Sequence, residues 1–104
     1  MIGDLDTRAS LEQVTRDPDG GGGYAQSWSA VARLWIGVAP AGGEDAITAD
    51  RPQAAVRYRV TLRRRGDIAP GMRLVTSART LLIHDVLDAG PRAATMVLLC
   101  GDAP

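Results

Sequence analysis

Short segments in which apolar and polar residues alternate recur along most of this chain, and they constrain the fold more than any other feature of the sequence. An alternation of period two places apolar side chains on one face of an extended strand and polar side chains on the other. It is clearest where Tyr58, Val60 and Leu62 point one way and the residues between them point the other. Similar segments begin near residues 5, 29, 73, 80 and 93. The pattern predicts an all-β, mainly antiparallel fold that forms a small barrel or sandwich.

Glycine, proline and acidic residues mark the predicted connections between these strands. Residues 17–23 read as a loop, because the glycine run would be costly to hold in a regular element. Residues 40–52 form one long loop, since hairpin connections usually need only about two to five residues. Residues 25–33 have two interpretations, a strand or a short helix, because Ser27 and Ser29 could also cap a helix. We favour a strand from about Ser29 onward.

The length and the charge balance bound the class of protein. A chain of 104 residues predicts a single domain that spans residues 1–104. A domain of this size buries only about 60 to 70% of the surface of its unfolded chain, so oligomerisation would stabilise it by burying more apolar surface. The basic residues, all arginine, number 12 and are balanced by 12 acids, so the global charge predicts no partner. No apolar run approaches the length of about 18 residues that crosses a bilayer, so we expect no membrane partner.

The sequence contains few groups for chemistry. Cys100 is the only cysteine, which excludes an intramolecular disulfide and a thiolate zinc site. His84 and Asp85 are adjacent, and adjacent residues of a regular strand point to opposite faces, so they do not form a base and its orienting group. We therefore expect no enzyme activity, no cofactor and no metal site.

Arginines are concentrated on and after the predicted strand at residues 57–63. Arg57, Arg59 and Arg63 share its outer face, and Arg63 begins a run of three arginines that ends at Arg65. One interpretation is a nucleic-acid-binding module of the OB or SH3-like type, with residues 63–65 on phosphates. Its aromatic stacking platforms would be drawn from Trp28, Trp35, Tyr24 and Tyr58. The other interpretation, which we favour, is an exposed strand edge or a strip of salt bridges between subunits.

The order of features along nearly the whole chain resembles the phage head-to-tail joining family, which includes relatives in gene-transfer agents. The features that carry this resemblance are ordered weak motifs. They are the segments 34–40 (LWIGVAP), 58–63 (YRVTLR), 65–68 (RGDI), 72–74 (MRL) and 82–83 (LI), and a last strand at residues 92–100.

The resemblance implies a small β-barrel that forms the stopper ring of a head-tail connector. Such a ring joins the portal and its adaptor to the tail terminator or tail tube and helps retain packaged DNA in the channel. A hexamer is the expected ring, with a dodecamer as the alternative, assembled in the bacterial cytoplasm and located in the virion. The residues expected at subunit or partner interfaces are Trp35, Gly42, Gly43, Glu44, Asp45, Arg57, Arg59, Arg63 and Arg65.

Overall fold

The computed structural model describes residues 5–18, 20–21, 24–42 and 56–103, and regular structure in these ranges consists of strands alone. No helix among them is long and apolar enough to cross a membrane. The strands are β1 (Thr7–Pro18), β2 (Tyr24–Pro40), β3 (Tyr58–Arg63), β4 (Arg73–Val75), β5 (Thr80–Leu87) and β6 (Thr95–Asp102).

The six strands close into a barrel in the order β1-β2-β3-β6-β5-β4. All neighbouring strands are antiparallel, and the barrel closes where Ser10–Glu12 of β1 pair with Arg73–Val75 of β4. The turn before β4 needs Gly71, whose φ of 93° lies in the left-handed region that side chains disfavour. The predicted antiparallel all-β fold is thus confirmed, as a barrel and not an open sandwich.

The barrel interior is filled by the apolar face of each strand. Val60 is fully buried and Leu62 is 1% exposed, as the alternation in β3 predicts, and both belong to one core cluster. Antiparallel neighbours supply most of the other members of this cluster, because directly paired residues share a face, and Ile68 and Met72 are added from the segment between β3 and β4. Its other members are Ala9, Leu11, Leu34, Ile36, Ile68, Met72, Leu74, Leu81, Ile83, Met96, Leu98 and Cys100.

The first two strands are much longer than predicted, with 12 residues in β1 and 17 in β2. Residues 25–33 form the strand that we favoured over a short helix, although it begins before Ser29, and residues 17–18 belong to β1 and not to a loop. The physical reason is the pairing of the two strands with each other, which continues on one side of each strand as far as Pro18 and Tyr24. Beyond the barrel, residues 13–18 and 24–29 form a two-stranded ribbon that we call the arm. The principal dimensions of the chain are 50 × 29 × 28 Å.

Two β-bulges interrupt the regular ladders. In β2, Leu11 pairs with Ala32 and Glu12 with Ala30, so Val31 is an extra residue and its side chain is 38% exposed. In β5, a register shift falls at His84. A bulge re-aims its side chain, so the strict alternation assumed for His84 and Asp85 does not hold at this point.

Candidate docking surface

Trp35 lies at the centre of an arginine-rich row on the outer face of the barrel. Arg8 is its direct partner across β1 and β2, and the Arg8 guanidinium lies 5.0 Å from the indole centroid. On the other side, Ile36 pairs with Leu62, which makes Trp35 and Arg63 the next residues along β2 and β3. The indole remains 52% exposed, because Arg8 covers only part of it.

Arg33 completes this surface, since it lies two residues before Trp35 and therefore on the same side of β2. Arg33, Trp35 and Arg63 line one cleft of about 320 Å³. We call Arg8, Arg33, Trp35 and Arg63 the tryptophan–arginine surface. Its members come from three neighbouring strands, so the closed barrel and not a single motif brings them together.

The same cleft is bordered by two arginines whose charges are already neutralised. Arg64 donates to both oxygens of Asp88 at 2.8 and 3.0 Å, and Arg65 donates to both oxygens of Asp67 at 3.0 and 2.8 Å. These bidentate pairs fix both guanidinium groups in place. Arg33 and Arg63 have no ion pair within the described ranges. The net positive charge of the cleft therefore comes from Arg33 and Arg63.

The two bidentate pairs predict a pH dependence of stability. Hydrogen bonds from Arg65 lower the pKa of Asp67 below its ordinary value of 3.8. Arg64, with the Gly90 amide, lowers the pKa of Asp88 in the same way. A carboxyl whose pKa is lowered by folding stabilises the fold above its unfolded pKa, and this contribution disappears as the pH falls through the folded pKa.

We therefore expect the double variant Asp67→Asn, Asp88→Asn to melt at a lower temperature than the parent chain at pH 7. The difference should be small, because both pairs are partly exposed. It should shrink as the pH falls below 3.8 through the lowered pKa of the two folded carboxyls, because the parent carboxyls then become protonated as well. Melting curves followed by circular dichroism at pH 7 and at a series of acidic pH values measure it, and a difference that stays constant would contradict the assignment.

The remaining residues predicted for an interface lie elsewhere or outside the described residues. Arg57 approaches Asp102 at 3.7 Å, with both side chains more than half exposed at 65% and 57%, which makes a weak surface pair. Arg59 pairs with Ala39, four residues along β2 from Trp35, and borders a different groove lined by residues of β5 and β6. Gly42 is exposed. Gly43, Glu44 and Asp45 lie outside the described residues, so their predicted role stays a prediction.

Sequence reasoning missed a second arginine contact with an aromatic ring, at the base of the arm. The Arg73 guanidinium lies 4.1 Å from the Trp28 ring centroid and donates to Glu12 at 2.7 Å. Arg73 and Glu12 are directly opposite in the β1–β4 pair that closes the barrel. Nothing local in the sequence indicates a contact between residues this far apart, because it depends on which strands close the barrel.

This arrangement does not favour the nucleic-acid-binding alternative. Stacking needs free aromatic faces, and an arginine lies over one face of each of the rings of Trp28, Trp35 and Tyr58. The side chain of Tyr24 lies outside the described residues. Two of the three arginines in the run at residues 63–65 are held by carboxylates of the same chain.

The groups capable of chemistry remain dispersed. Cys100 is buried in the core, and this burial raises the pKa of its thiol to about 12, so little thiolate forms at neutral pH. Within the described ranges, no group of three or more histidine, cysteine or carboxylate side chains lies close enough to hold a metal ion. What the described surface can do is bind a partner through charge and apolar contact.

Solved structures share this fold. The solution structure of a protein from Shigella flexneri 2a matches with a TM-score of 0.73 and 24% identity, over 97% of this chain and 95% of that one. A chain in the virion of a native gene transfer agent particle matches with a TM-score of 0.65 and 19% identity, over 93% of each chain. At these identities the two matches establish the fold alone. Among curated protein sequences, no match was found.

The family is identified from the sequence itself. The model of the phage head completion protein family matches residues 1–103. This confirms the resemblance predicted from the ordered motifs. Because the match spans almost the whole sequence, the chain belongs to the phage head completion protein family and is a structural component of a phage or phage-derived virion.

Proposed function

We propose that this chain is a single-domain subunit, residues 1–104, of the stopper ring in a head-tail connector. The ring joins the portal and its adaptor to the tail terminator or tail tube, and it helps retain packaged DNA. The observation that carries the proposal is the tryptophan–arginine surface, where an exposed indole lies beside two arginines that lack an ion pair among the described residues.

This surface has the composition of a protein-binding site. Tryptophan and arginine are the residues most enriched at interface hot spots, and charged residues around them set the orientation and choice of partner. Arg8 covers part of the Trp35 ring, so the indole has a defined position before a partner arrives. A virion neighbour that presents carboxylates beside an apolar side chain would complement both features of the surface.

The function requires geometry and no bond chemistry. The closed barrel pairs each strand with a neighbour on both sides over part of its length, so each copy can act as a rigid block. Blocks that repeat one contact around an axis close into a ring, for which we favour six copies, with twelve as the alternative. In such a ring, one face contacts the portal and its adaptor, and the opposite face contacts the tail. The packaged DNA lies along the ring axis.

Deleting the gene and imaging the resulting particles by electron microscopy tests this function. Because the proposed ring is the joint, we expect normal head and tail assembly with loss of attachment, so that full or emptied heads accumulate beside free tails. Supplying the unmodified gene from a plasmid is the control and should restore tailed particles. Normal tailed particles in the deletion strain would exclude the joining role.

A further inference from the structure

The arm carries two strand edges that no other described strand covers. β1 is paired with β4 only over Ser10–Glu12, and β2 is paired with β3 only over Ile36–Pro40. In the arm, each strand therefore pairs with its arm partner on one side alone, and the backbone groups of its other side are left without a strand. A hairpin with two strands is marginally stable by itself in water, and a third strand at its edge stabilises it.

The β2 edge of the arm also lacks the features that normally prevent strand pairing. Natural proteins protect exposed edges with charged residues, proline or short strands. Residues 24–32 contain no charge, no proline and no glycine over nine consecutive positions. A β-bulge is another protective feature, but the bulge at Val31 lies at the base of the arm, outside residues 24–29, and it leaves an apolar side chain 38% exposed. The edge is thus competent to receive another strand.

We infer that the β2 edge of one arm pairs with the β1 edge of the arm of the next copy in the ring, over residues 13–15 of β1, because β1 then ends in Arg16, Asp17 and Pro18, which disfavour strand pairing. This inference rests on the proposed ring, with the arms parallel to its axis. Rotation about the axis leaves such arms pointing the same way, so β2 of one copy runs antiparallel to β1 of the next. The contact therefore repeats the ladder that already holds β1 and β2 together in each arm. Around a closed ring, the uncharged part of each arm edge is then covered.

The dimensions of the arm place this contact close to the ring axis. Two paired strands are about 10 Å wide, given the spacing of about 4.8 Å between neighbouring strands. The two short dimensions of the whole chain are 29 and 28 Å. Arms that touch edge to edge therefore lie on a smaller circle than the barrels. The paired arms would form the narrower part of the channel, and the barrels would form the outer wall.

Cysteine pairs on one face of the arm test this contact. Gln13 pairs with Ser29 and Thr15 with Ser27 within an arm, so these four side chains share a face. Four single variants are needed, namely Gln13→Cys, Thr15→Cys, Ser27→Cys and Ser29→Cys. Each β1 variant is mixed with each β2 variant, which covers alternative registers. The mixtures are added to particles that lack the protein, oxidised mildly and run on a non-reducing gel.

We expect a covalent dimer in at least one mixture of a β1 variant with a β2 variant and in no variant alone. A disulfide needs Cα atoms within about 7 Å, so it reports direct strand pairing. In a random equal mixture, about a quarter of the contacts present both thiols, which sets the expected yield of dimer. The parent chain is the control, since Cys100 is buried.

Two results would overturn the inference. The first is that no mixture gives a covalent dimer although tailed particles are restored. The second is that a β2 variant alone gives a covalent dimer, which would mean that two β2 edges meet. The parent chain separates these outcomes from a failure of the proposed function. If the parent chain does not restore tailed particles, the joining role is wrong, whereas restored particles without cross-links reject the arm contact alone.

Discussion

Replacing Leu98 with alanine is expected to lower the free energy of unfolding by about 2 to 5 kcal/mol. Leu98 is fully buried in the barrel core, opposite Val60 of β3 and Val86 of β5. Alanine would leave a cavity that the paired strands on both sides cannot close, since their backbones are fixed by the ladders. A domain of this size is typically stable by only about 5 to 15 kcal/mol, so the change removes a large fraction of the total.

Urea unfolding followed by tryptophan fluorescence measures this effect, with Val31→Ala as the matched control. Both variants remove apolar carbons from a strand residue, but Val31 is 38% exposed at a bulge. We expect the control to change the free energy of unfolding by less than about 0.5 kcal/mol. Equal effects of the two substitutions would mean that Leu98 is not in a packed interior.

The apolar face of a barrel strand could be predicted from sequence where period two holds, because this period is a local property of an extended chain. Val60 and Leu62 in β3, and Leu81 and Ile83 in β5, are buried as their alternation requires. The length of β1 and β2 could not be predicted in this way. In the arm, polar residues occur on both faces, so no buried apolar face marks the strands in the sequence. The two strands form there because they pair with each other.

The candidate surface was predicted only in part, for a related reason. Trp35 and Arg63 were selected because each faces away from the core on its own strand, which alternation reveals. Their neighbours Arg8 and Arg33 could not be predicted in this way. They lie beside Trp35 because the barrel topology determines which strands are adjacent. Arg65 was selected for its place in a basic run, and its bidentate contact with Asp67 changes that interpretation.

Reversing the charge of Arg63 is expected to leave the barrel folded and to prevent attachment of tails. Arg63 is exposed at the end of β3, and it contributes neither an ion pair among the described residues nor any side chain to the core. Arg63→Glu would place a carboxylate against the carboxylates proposed on the partner. Losing one charge of a desolvated pair costs about 2 to 5 kcal/mol, which corresponds to at least a thirtyfold weaker contact at about 1.4 kcal/mol per tenfold. Arg59→Glu tests the groove beside β5 and β6 in the same way.

Arg92→Glu is the matched control, because Arg92 is an exposed residue outside the strands and the same reversal changes the net charge equally. Each variant is supplied to a strain that lacks the gene, and tailed particles are counted by electron microscopy beside a melting curve of the purified chain. A loss of tails with Arg63→Glu but not with Arg92→Glu, at unchanged melting temperature, assigns the effect to the tryptophan–arginine surface. A normal yield of tailed particles with Arg63→Glu would remove Arg63 from the interface, and the contact would then have to be sought at the arm or beside Arg59.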